Sequence, residues 1–280
     1  MKKIAILLAT YNSSKHLRSQ IDSLFNQSNQ EWMLFVRDDC SNDNTIDIIK
    51  EYQKLYPGRI VILDNHNASK KAYLNFVELL KNVESDYYMF CDHDDVWLPN
   101  KIQISLDRML EIEKQNPDRP VIVHTDMKVV DQDLNVICNS FWKYSRLLPD
   151  RNRFAEMVLC NSANGCAMMF NDKAKTVALP NIKFAIMHDI LLNQSVSANN
   201  GIIAPIKIPM VLYRQHTNNV VGAHKRDFRF YMHKLSDIPL LIKDNIDCYK
   251  RANRIKHIPL ALFIFTKVKI FYLKMRINNE

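Results

Sequence analysis

The residues best suited to chemistry are three carboxylates crowded into the motif Asp92-His93-Asp94-Asp95, directly after an apolar run at 87–90. Like charges at this spacing repel each other and raise each other's pKa, and a bound divalent cation removes that cost. Mg²⁺ and Mn²⁺ prefer hard oxygen ligands, and magnesium typically takes one or two carboxylates together with substrate phosphates. The motif therefore predicts a metal site for a phosphorylated substrate. The alternative is a solvated turn in which Asp95 caps the next helix.

A second pair of carboxylates, Asp38-Asp39, closes an earlier predicted strand and is followed by a polar segment at 41–45. Asp and Asn are common helix caps and turn formers, so Asn42 or Asp43 is expected to cap the next helix. Asp39 is not needed for capping. In a crevice, its carboxylate could accept hydrogen bonds from a nucleobase imide or a ribose hydroxyl, with a role in the turn as the alternative.

Two further candidates lie in the second half of the chain. Asp189 follows His188 and begins an apolar helical pattern, so it can be interpreted as a helix cap or as a catalytic residue. His216 can be a metal ligand, although a single histidine is more often a hydrogen-bonded structural residue. From the residue types alone, both interpretations stay open at each position.

The elements that must position these residues alternate between strands and helices. Apolar runs predict strands at 4–9, 33–37, 60–63 and 87–91, and amphipathic patterns predict helices at 15–26, from Asn42 or Asp43 to Pro57, at 71–81, and from Pro99 with Ile102, Leu106, Met109 and Leu110. This alternation is typical of an α/β fold whose mostly parallel, Rossmann-like sheet carries helices on both faces. Ligands bind outside the carboxyl ends of strands in such sheets, so residues 38–39 and 92–95 are expected to share one crevice.

After Pro120 the pattern loosens into predicted strands at 121–125, 166–170 and 206–212, one helix after His188, and basic helices at the end. The segment from His224 to Glu280 holds 13 Lys and Arg against 5 Asp and Glu, and so accounts for the whole formal net charge of +8. Within it, residues 256–276 mix apolar and aromatic side chains with lysine and arginine. Such a mixture favours an interfacial position on anionic lipid, with packing on the catalytic domain or a dimer contact as alternatives.

Composition and cysteine spacing exclude several classes of protein. The chain has 280 residues, of which 47% are hydrophobic and 24% charged, so it is neither disordered nor fibrous. The six cysteines form no Cys-x-x-Cys pair and no zinc-finger set, which fits reduced thiols in a cytosolic protein. The apolar run at 4–9 is too short for a signal peptide, and no stretch approaches the roughly 20 apolar residues needed to cross a bilayer. We expect a cytoplasmic protein, either soluble or peripheral at the inner face of the cell membrane.

Three segments occur in order along the first half of the chain: Ala9-Thr10-Tyr11-Asn12, residues 38–45, and residues 92–101 with their DXD motif. Together they resemble the donor-site signatures of glycosyltransferase family 2, which has the GT-A fold. Residues 164–166, 188–189, 212–216 and 219–222 are similar to its bacterial rhamnosyltransferase-like branch of polysaccharide biosynthesis. The resemblance implies a GT-A catalytic domain at 1–222, with a nucleotide-sugar half at 1–120 and an acceptor half at 121–222, followed by a basic helical extension at 223–280.

The resemblance also implies roles for individual residues. The nucleotide sugar would be bound by Thr10, Tyr11, Asn12, Asp39, Asp92 and His93, with Asp92 near the ribose. Asp94 and His216 would hold Mn²⁺ or Mg²⁺, Asp189 would be the catalytic base, and Asp95, Trp97, His188 and Arg214 would be supporting residues. The family's glycine-rich segment after the third strand is missing, since the chain reads Asn65-His66-Asn67-Ala68-Ser69-Lys70-Lys71, where Lys70 or Lys71 could reach a phosphate.

The function implied is inverting transfer of a sugar, such as rhamnose or galactose, from a dTDP- or UDP-sugar to a bacterial surface glycan, with a lipid-linked acceptor expected. A metal-dependent nucleotidyltransferase or phosphohydrolase is the alternative enzyme class, since both use strand-end aspartates and magnesium. A third interpretation is a non-catalytic protein that binds lipid or nucleic acid through the basic tail. It leaves the acidic strand ends unexplained, so no nucleic-acid partner is expected, whereas a homodimer stays open.

Overall fold

The computed structural model describes residues 3–65, 68, 71–184, 186–216, 222–223, 225 and 238–277. The strands in these residues are β1 (Ile4–Thr10), β2 (Trp32–Asp38), β3 (Ile60–Ile62), β4 (Tyr87–Cys91), β5 (Val96–Trp97), β6 (Val121–Val130), β7 (Val136–Cys138), β8 (Met168–Asn171) and β9 (Ile202–Arg214). The α-helices are α1 (Leu17–Phe25), α2 (Thr45–Leu55), α3 (Ala72–Asn82), α4 (Lys101–Gln115), α5 (Phe141–Tyr144), α6 (Phe154–Leu159), α7 (Asp172–Ala178), α8 (His188–Ala198), α9 (Ile238–Ile255) and α10 (Leu260–Met275).

One sheet contains these strands, in the order β3-β2-β1-β4-β8-β6-β9-β5, with β7 paired to β6. The pairs β1–β2, β1–β4, β2–β3 and β6–β9 are parallel. The pairs β4–β8, β5–β9, β6–β7 and β6–β8 are antiparallel. Parallel neighbours need long crossover connections, which α1, α2 and α3 provide in the first half. The predicted α/β fold is confirmed, and every antiparallel pair includes a strand from the later half, where the periodicity loosens.

Two apolar layers cover the two faces of the sheet. Alternate residues of β1 face opposite layers: Ile4, Ile6 and Leu8 lie in one, and Ala5, Leu7 and Ala9 in the other. Helices α1, α2 and α4 contribute to the first layer, and α3, α7 and α8 contribute to the second. Because helices cover both faces, all seven residues of β1 are buried, as expected for a central parallel strand.

The helices begin and pack close to where the sequence predicted. Asp43, one of the two expected caps, accepts a hydrogen bond from the main-chain nitrogen of Thr45 at 3.0 Å, where α2 begins. Leu110, one of the four apolar residues of the predicted helix, is 42% exposed. Helix α4 buries residues at the helical period, namely Ile102, Ser105, Met109 and Ile112, and Leu110 is out of step with that series.

The strand predicted at 166–170 begins later than expected. Gly165–Ala167 forms a 3₁₀ turn, and β8 starts at Met168. The turn brings the backbone of Gly165 against the ring of His188, where an added Cβ would lie 2.5 Å from Nε2. Only glycine fits this close approach without displacing the ring.

Helices α9 and α10 pack on the later half of the chain. Ala252, Ile258 and Phe263 form a small core with Phe154 of α6, and Ile270 reaches the first apolar layer. Of the alternatives for the basic tail, packing on the domain is therefore observed for one face of these helices. Among the described helices, none is both long enough and apolar enough to span a bilayer.

Candidate active site

Three loops meet where β1, β2 and β4 end. Strand β1 lies between the other two, with Thr10 paired to Asp38 and Leu8 paired to Cys91. The main-chain nitrogen of Asp39 donates to the Thr10 carbonyl at 2.9 Å and extends this pairing by one residue. The parallel register thus places the three motifs side by side at the carboxyl edge of the sheet, as predicted.

The side chains of Thr10 and Asn12 hold the first two loops together. Thr10 Oγ1 donates to Asp38 Oδ1 at 2.7 Å, and Asn12 Oδ1 accepts from the main-chain nitrogen of Asn42 at 2.9 Å. Both residues were predicted to bind the nucleotide sugar, and the structure engages their side chains in shaping the loops. The ring of Tyr11, between them, is 54% exposed and available for contact with a base.

Asp39 lies in a buried ion pair that the sequence analysis missed. Its carboxylate is 3.4 Å from the guanidinium of Arg37, and the side chains are 7% and 9% exposed. Arg37 also donates to Asn75 Oδ1 at 2.8 Å and to Asn65 Oδ1 at 2.7 Å. Buried charges need such partners, so this network fixes the Asp39 carboxylate at the end of β2. A charged residue inside an otherwise apolar strand is the signal that could have identified Arg37.

Asp94 and His216, separated by 122 residues in the chain, are in contact. Asp94 Oδ2 lies 2.8 Å from His216 Nε2, and the two side chains are 13% and 10% exposed. The ring of His16 stacks on that of His216, with the centroids 5.2 Å apart. Two neighbouring ligands of an octahedral cation with bonds of about 2.1 Å are about 3 Å apart. The separation and the carboxylate and imidazole donors therefore fit Mg²⁺ or Mn²⁺.

Arg214 holds the acidic loop in place. Its Nε donates to the Asp94 carbonyl at 2.7 Å, and its Nη2 donates to Ser19 Oγ at 3.0 Å. Its main-chain nitrogen donates to Asp95 Oδ1 at 3.1 Å. The alternative in which Asp95 caps the next helix is wrong, since α4 begins only at Lys101. Arg214 and Asp95 thus act on the loop that carries Asp94.

Acidic side chains are concentrated where the loop at 92–95 approaches Cys166. Ligand atoms of Asp92, Asp95 and Cys166 lie within 4.8 Å of one another. Burial, and then the charges of Asp94 and Asp189, raise the pKa of Asp92 to about 7. A divalent cation at this loop would relieve the repulsion and favour the ionised carboxylates. The electrostatics of the loop therefore favour a bound divalent cation, as does the contact between Asp94 and His216.

Asp189 lies in the first turn of α8, close enough to Asp92 for its charge to raise the pKa of that carboxyl. Asn161 Nδ2 donates to Asp189 Oδ2 at 3.1 Å, and Asn193 Nδ2 donates to Asn161 Oδ1 at 2.6 Å. Burial raises the pKa of Asp189 to about 6. Neither asparagine was predicted as a site residue from the sequence. Asn193 follows Asp189 by one helical turn on the buried face, a pattern that could have indicated it.

Three other predicted site residues are embedded in the protein. The ring of His188 lies against Phe76 and Phe90, with centroid distances of 4.0 and 4.6 Å, and burial lowers its pKa to about 3. Trp97 is 2% exposed. Burial also lowers the pKa of His93, so its ring is neutral at pH 7. His188 and Trp97 pack beneath the site and shape the elements that carry it.

Part of the predicted site lies outside the described residues. This part comprises His66, Asn67, Ser69 and Lys70 of the segment that replaces the glycine-rich loop, and Asn219-Val220-Val221. Lys71 is described, and it directly precedes α3 at the protein surface.

Comparison with known proteins identifies the family of this chain. The sequence profile described as "Glycosyl transferase family 2" matches residues 5–177, which is more than half of the chain. The dTDP-rhamnosyl transferase RfbG of Shigella flexneri is 29% identical over 230 residues, covering 78% of this chain and 74% of its own. An Escherichia coli relative, UDP-Glc:alpha-D-GlcNAc-diphosphoundecaprenol beta-1,3-glucosyltransferase WfgD, is 31% identical over 108 residues, 39% of this chain and 41% of its own.

Solved structures with the same fold include S. aureus TarS. Its residues 1–349 superpose with a TM-score of 0.59 and 18% identity, covering 97% of this chain and 89% of that one. The complex of the same protein with UDP-GlcNAc gives a TM-score of 0.56 at 17% identity, covering 97% of this chain and 81% of that one. At this level of identity the likeness concerns the fold, and it agrees with the α/β sheet described above. On the family profile and the arrangement of its strand-end motifs, the chain belongs to glycosyltransferase family 2.

Proposed function

We propose that this chain is an inverting, metal-dependent glycosyltransferase that moves a sugar from a dTDP- or UDP-sugar to a bacterial surface-glycan acceptor. The observation that carries the proposal is the 2.8 Å contact between Asp94 and His216. Asp92, on the same loop as Asp94, lies close enough to Asp189 for that charge to raise its pKa. This arrangement combines a site for a divalent cation with a separate carboxylate. A single displacement at an anomeric carbon needs both components.

The relatives support a pyrimidine nucleoside diphosphate as the donor. RfbG is named for dTDP-rhamnose, WfgD for UDP-Glc, and TarS was solved with UDP-GlcNAc. Thymine and uracil share an imide N–H group, from which a carboxylate can accept a hydrogen bond. We assign this hydrogen bond to Asp39, which Arg37 holds at the end of β2, and we assign stacking on the base to the exposed ring of Tyr11.

Asp94 and His216 are the residues that would hold Mn²⁺ or Mg²⁺. The cation, when bound, would neutralise the diphosphate as it leaves the sugar. Arg214 fixes the loop by its hydrogen bond to the Asp94 carbonyl, so the carboxylate is directed before the substrate arrives. Asp92, on the same loop, is assigned to the ribose.

Asp189 is the group that would accept the proton of the acceptor hydroxyl. Because burial raises its pKa to about 6, the carboxylate is ionised at neutral pH and is more basic than an exposed aspartate, as a general base requires. Asn161 hydrogen-bonds Oδ2 and orients the group. Attack of the deprotonated oxygen on the face of the sugar opposite the diphosphate would invert the anomeric configuration.

The names of the relatives support a lipid-linked glycan as the acceptor. The name of WfgD gives its acceptor as a diphosphoundecaprenol-linked GlcNAc. A Bacillus subtilis relative, TuaG, 28% identical over 39% of this chain and 42% of its own, is named as a putative glycosyltransferase of teichuronic acid biosynthesis. Both names concern glycan assembly, so we propose a growing surface glycan on a lipid carrier.

Thermal unfolding with a panel of nucleotide sugars, with and without Mn²⁺, tests the proposal, because a ligand that binds only the native state raises its stability. A dTDP- or UDP-sugar should raise the unfolding temperature only with Mn²⁺. Asp94→Asn should abolish this increase. Asp189→Asn should keep it but lower sugar transfer by at least about 100-fold. Asp118→Asn, in the exposed turn before β6, is the matched control and should behave like the wild type.

Two results would contradict these assignments. If Asp189→Asn transfers sugar as fast as the wild type, Asp189 has no part in the mechanism. If the protein releases phosphate or diphosphate from nucleotides without transferring sugar, a nucleotidyltransferase or phosphohydrolase replaces the proposed activity.

A further inference from the structure

The last helix, α10, is apolar on its outward side as well as on the side that packs on the protein. The face that packs on the protein contains Phe263, Thr266, Ile270 and Lys274. The outward residues Ile264, Phe265, Val268 and Tyr272 are 53%, 67%, 64% and 58% exposed. A surface helix normally buries its apolar stripe and exposes its polar residues. Here Thr266 and Lys274 lie inward beside Phe263 and Ile270, and a second apolar stripe faces out.

Helix α9 repeats the feature over its first half. Ile238, Ile242 and Ile246 follow one another at four-residue intervals, which places them on one side of the helix. Their exposed fractions are 58%, 54% and 46%. Exposed apolar residues that occur singly need no explanation, whereas stripes on two consecutive helices mark a surface that contacts something.

Charge distinguishes the kinds of surface that could cover these stripes. Residues 238–277 contain nine Lys and Arg against two Asp. Lys274 is buried and Lys269 lies 3.7 Å from Glu156, whereas the exposed basic residues are Lys243, Lys250, Arg254, Lys256 and Arg276. Lysine is depleted at the centre of protein–protein interfaces, whereas helices that lie on anionic lipid combine basic residues with Phe, Tyr and aliphatic side chains. The stripe and its charges therefore complement an anionic lipid surface better than a second copy of the chain.

We propose that the outward stripe of α10, Ile264-Phe265-Val268-Tyr272, docks the protein on an anionic bilayer surface. The helix has 16 residues, fewer than the roughly 20 that a bilayer-spanning helix needs. It therefore lies in the plane of the interface, with its apolar stripe among the acyl chains and the exposed basic residues of α9 and the end of α10 at the level of the headgroups.

The position of α10 also has a consequence for the acceptor. Arg146 donates to the carbonyl of Lys274 at 3.4 Å, which joins the helix to the segment around Trp142. The indole nitrogen of Trp142 donates to the carbonyl of Ser162 at 3.1 Å, next to Asn161. The docking helix is thus linked to the loop that orients Asp189. This consequence rests on the proposed function, since it matters for a lipid-linked acceptor; the docking itself does not.

Co-sedimentation of the full chain with vesicles tests the proposal without any nucleotide sugar, so its outcome is independent of the proposed activity. The vesicles are phosphatidylcholine alone or phosphatidylcholine mixed with phosphatidylglycerol. The wild type should bind the mixed vesicles, and binding should weaken as salt increases. The double substitution Phe265→Ser with Val268→Ser should lower the partition coefficient by about tenfold or more, since two exposed apolar side chains no longer enter the acyl region.

The matched control is Val136→Ser with Ile137→Ser. This pair on β7 is 50% and 52% exposed, so it removes similar apolar area from another surface, and vesicle binding should stay at the wild-type level. Thermal unfolding should show that both double variants are folded, because the four replaced side chains face outward.

Three results would overturn the proposal. The first is equal vesicle binding by the wild type and the Phe265→Ser, Val268→Ser variant. The second is equal binding to neutral and anionic vesicles, which would remove the role of the basic residues. The third is a dimer in analytical ultracentrifugation that the same variant abolishes, with no vesicle binding by the wild type. That result would assign the stripe to a second copy of the chain.

Discussion

At the scale of single residues, the site places three carboxylates in different surroundings. Asp39 is paired with the guanidinium of Arg37, and Asp94 is in contact with His216. Asp189 accepts hydrogen bonds from neutral groups, including the amide of Asn161. Carboxylates in contrasting environments can take different roles in one reaction. Pairing with arginine suits Asp39 as a fixed hydrogen-bond acceptor. Contact with histidine suits Asp94 as a metal ligand, and burial among neutral donors suits Asp189 as a base.

The pH dependence of sugar transfer should report the ionisation of Asp189. Burial raises its pKa to about 6, and a base must be ionised to act. We therefore expect kcat/KM to fall about tenfold per pH unit below this pKa and to level off above it. Asn161 donates to the ionised carboxylate and so lowers the pKa. Asn161→Ala should consequently move the acidic limb to higher pH.

The control for this shift is Asn199→Ala, at the exposed end of α8. This substitution should leave the acidic limb of the kcat/KM profile at the same pH as in the wild type. An acidic limb that stays at the same pH in Asn161→Ala would show that the hydrogen bond to Asp189 does not influence the titrating group.

At the scale of elements, the turn Gly165–Ala167 and helix α8 depend on one close contact. The ring of His188 lies against Phe76 and Phe90, and an added Cβ on Gly165 would lie 2.5 Å from its Nε2. This contact sets the distance between the start of α8, which carries Asp189, and the turn beside the acidic loop.

Gly165→Ala should therefore lower the free energy of unfolding by about 1–3 kcal/mol, because the packed ring of His188 cannot move aside without strain. Chemical denaturation measures this change. The double variant Gly165→Ala with His188→Ala should recover part of the loss relative to the sum of the single variants. Unchanged stability of Gly165→Ala would mean that the ring relaxes freely.

At the scale of the whole molecule, helices α9 and α10 of the basic tail are part of the folded body and also carry exposed apolar stripes. Phe154 is 8% exposed and shares a core with Ala252, Ile258 and Phe263. The opposite side of α10 carries the exposed stripe. One pair of helices thus packs on the later half of the chain and offers the surface proposed for docking.

Removal of residues 238–280 should destabilise the remaining chain. Each apolar side chain that loses its cover, such as Phe154, should cost about 1.5–3 kcal/mol. Thermal or urea unfolding of the shortened chain measures the effect. If the shortened chain unfolds at the same temperature as the full one, the tail is an independent extension that adds nothing to the stability of the catalytic domain.

Local patterns in the sequence predicted the elements well because periodicity reports burial directly. Residues 87–91 form one apolar run, and β4 covers the same residues. The same logic did not decide which face of α4 points inward, and packing buried Met109 and left Leu110 exposed. It also failed at Cys166, because a turn that depends on the ring of His188 has no local signature.

By itself, the sequence determined the α/β fold, the strand-end positions of the acidic motifs and the family. Each of these depends on residue types within a few positions of one another. Only the tertiary structure decided that Arg37 and Asn75 hold Asp39, that Asn161 reaches Asp189, and that the stripe on α10 faces outward. These contacts join residues far apart in the chain, and their geometry depends on how the whole sheet is assembled, which no local period encodes.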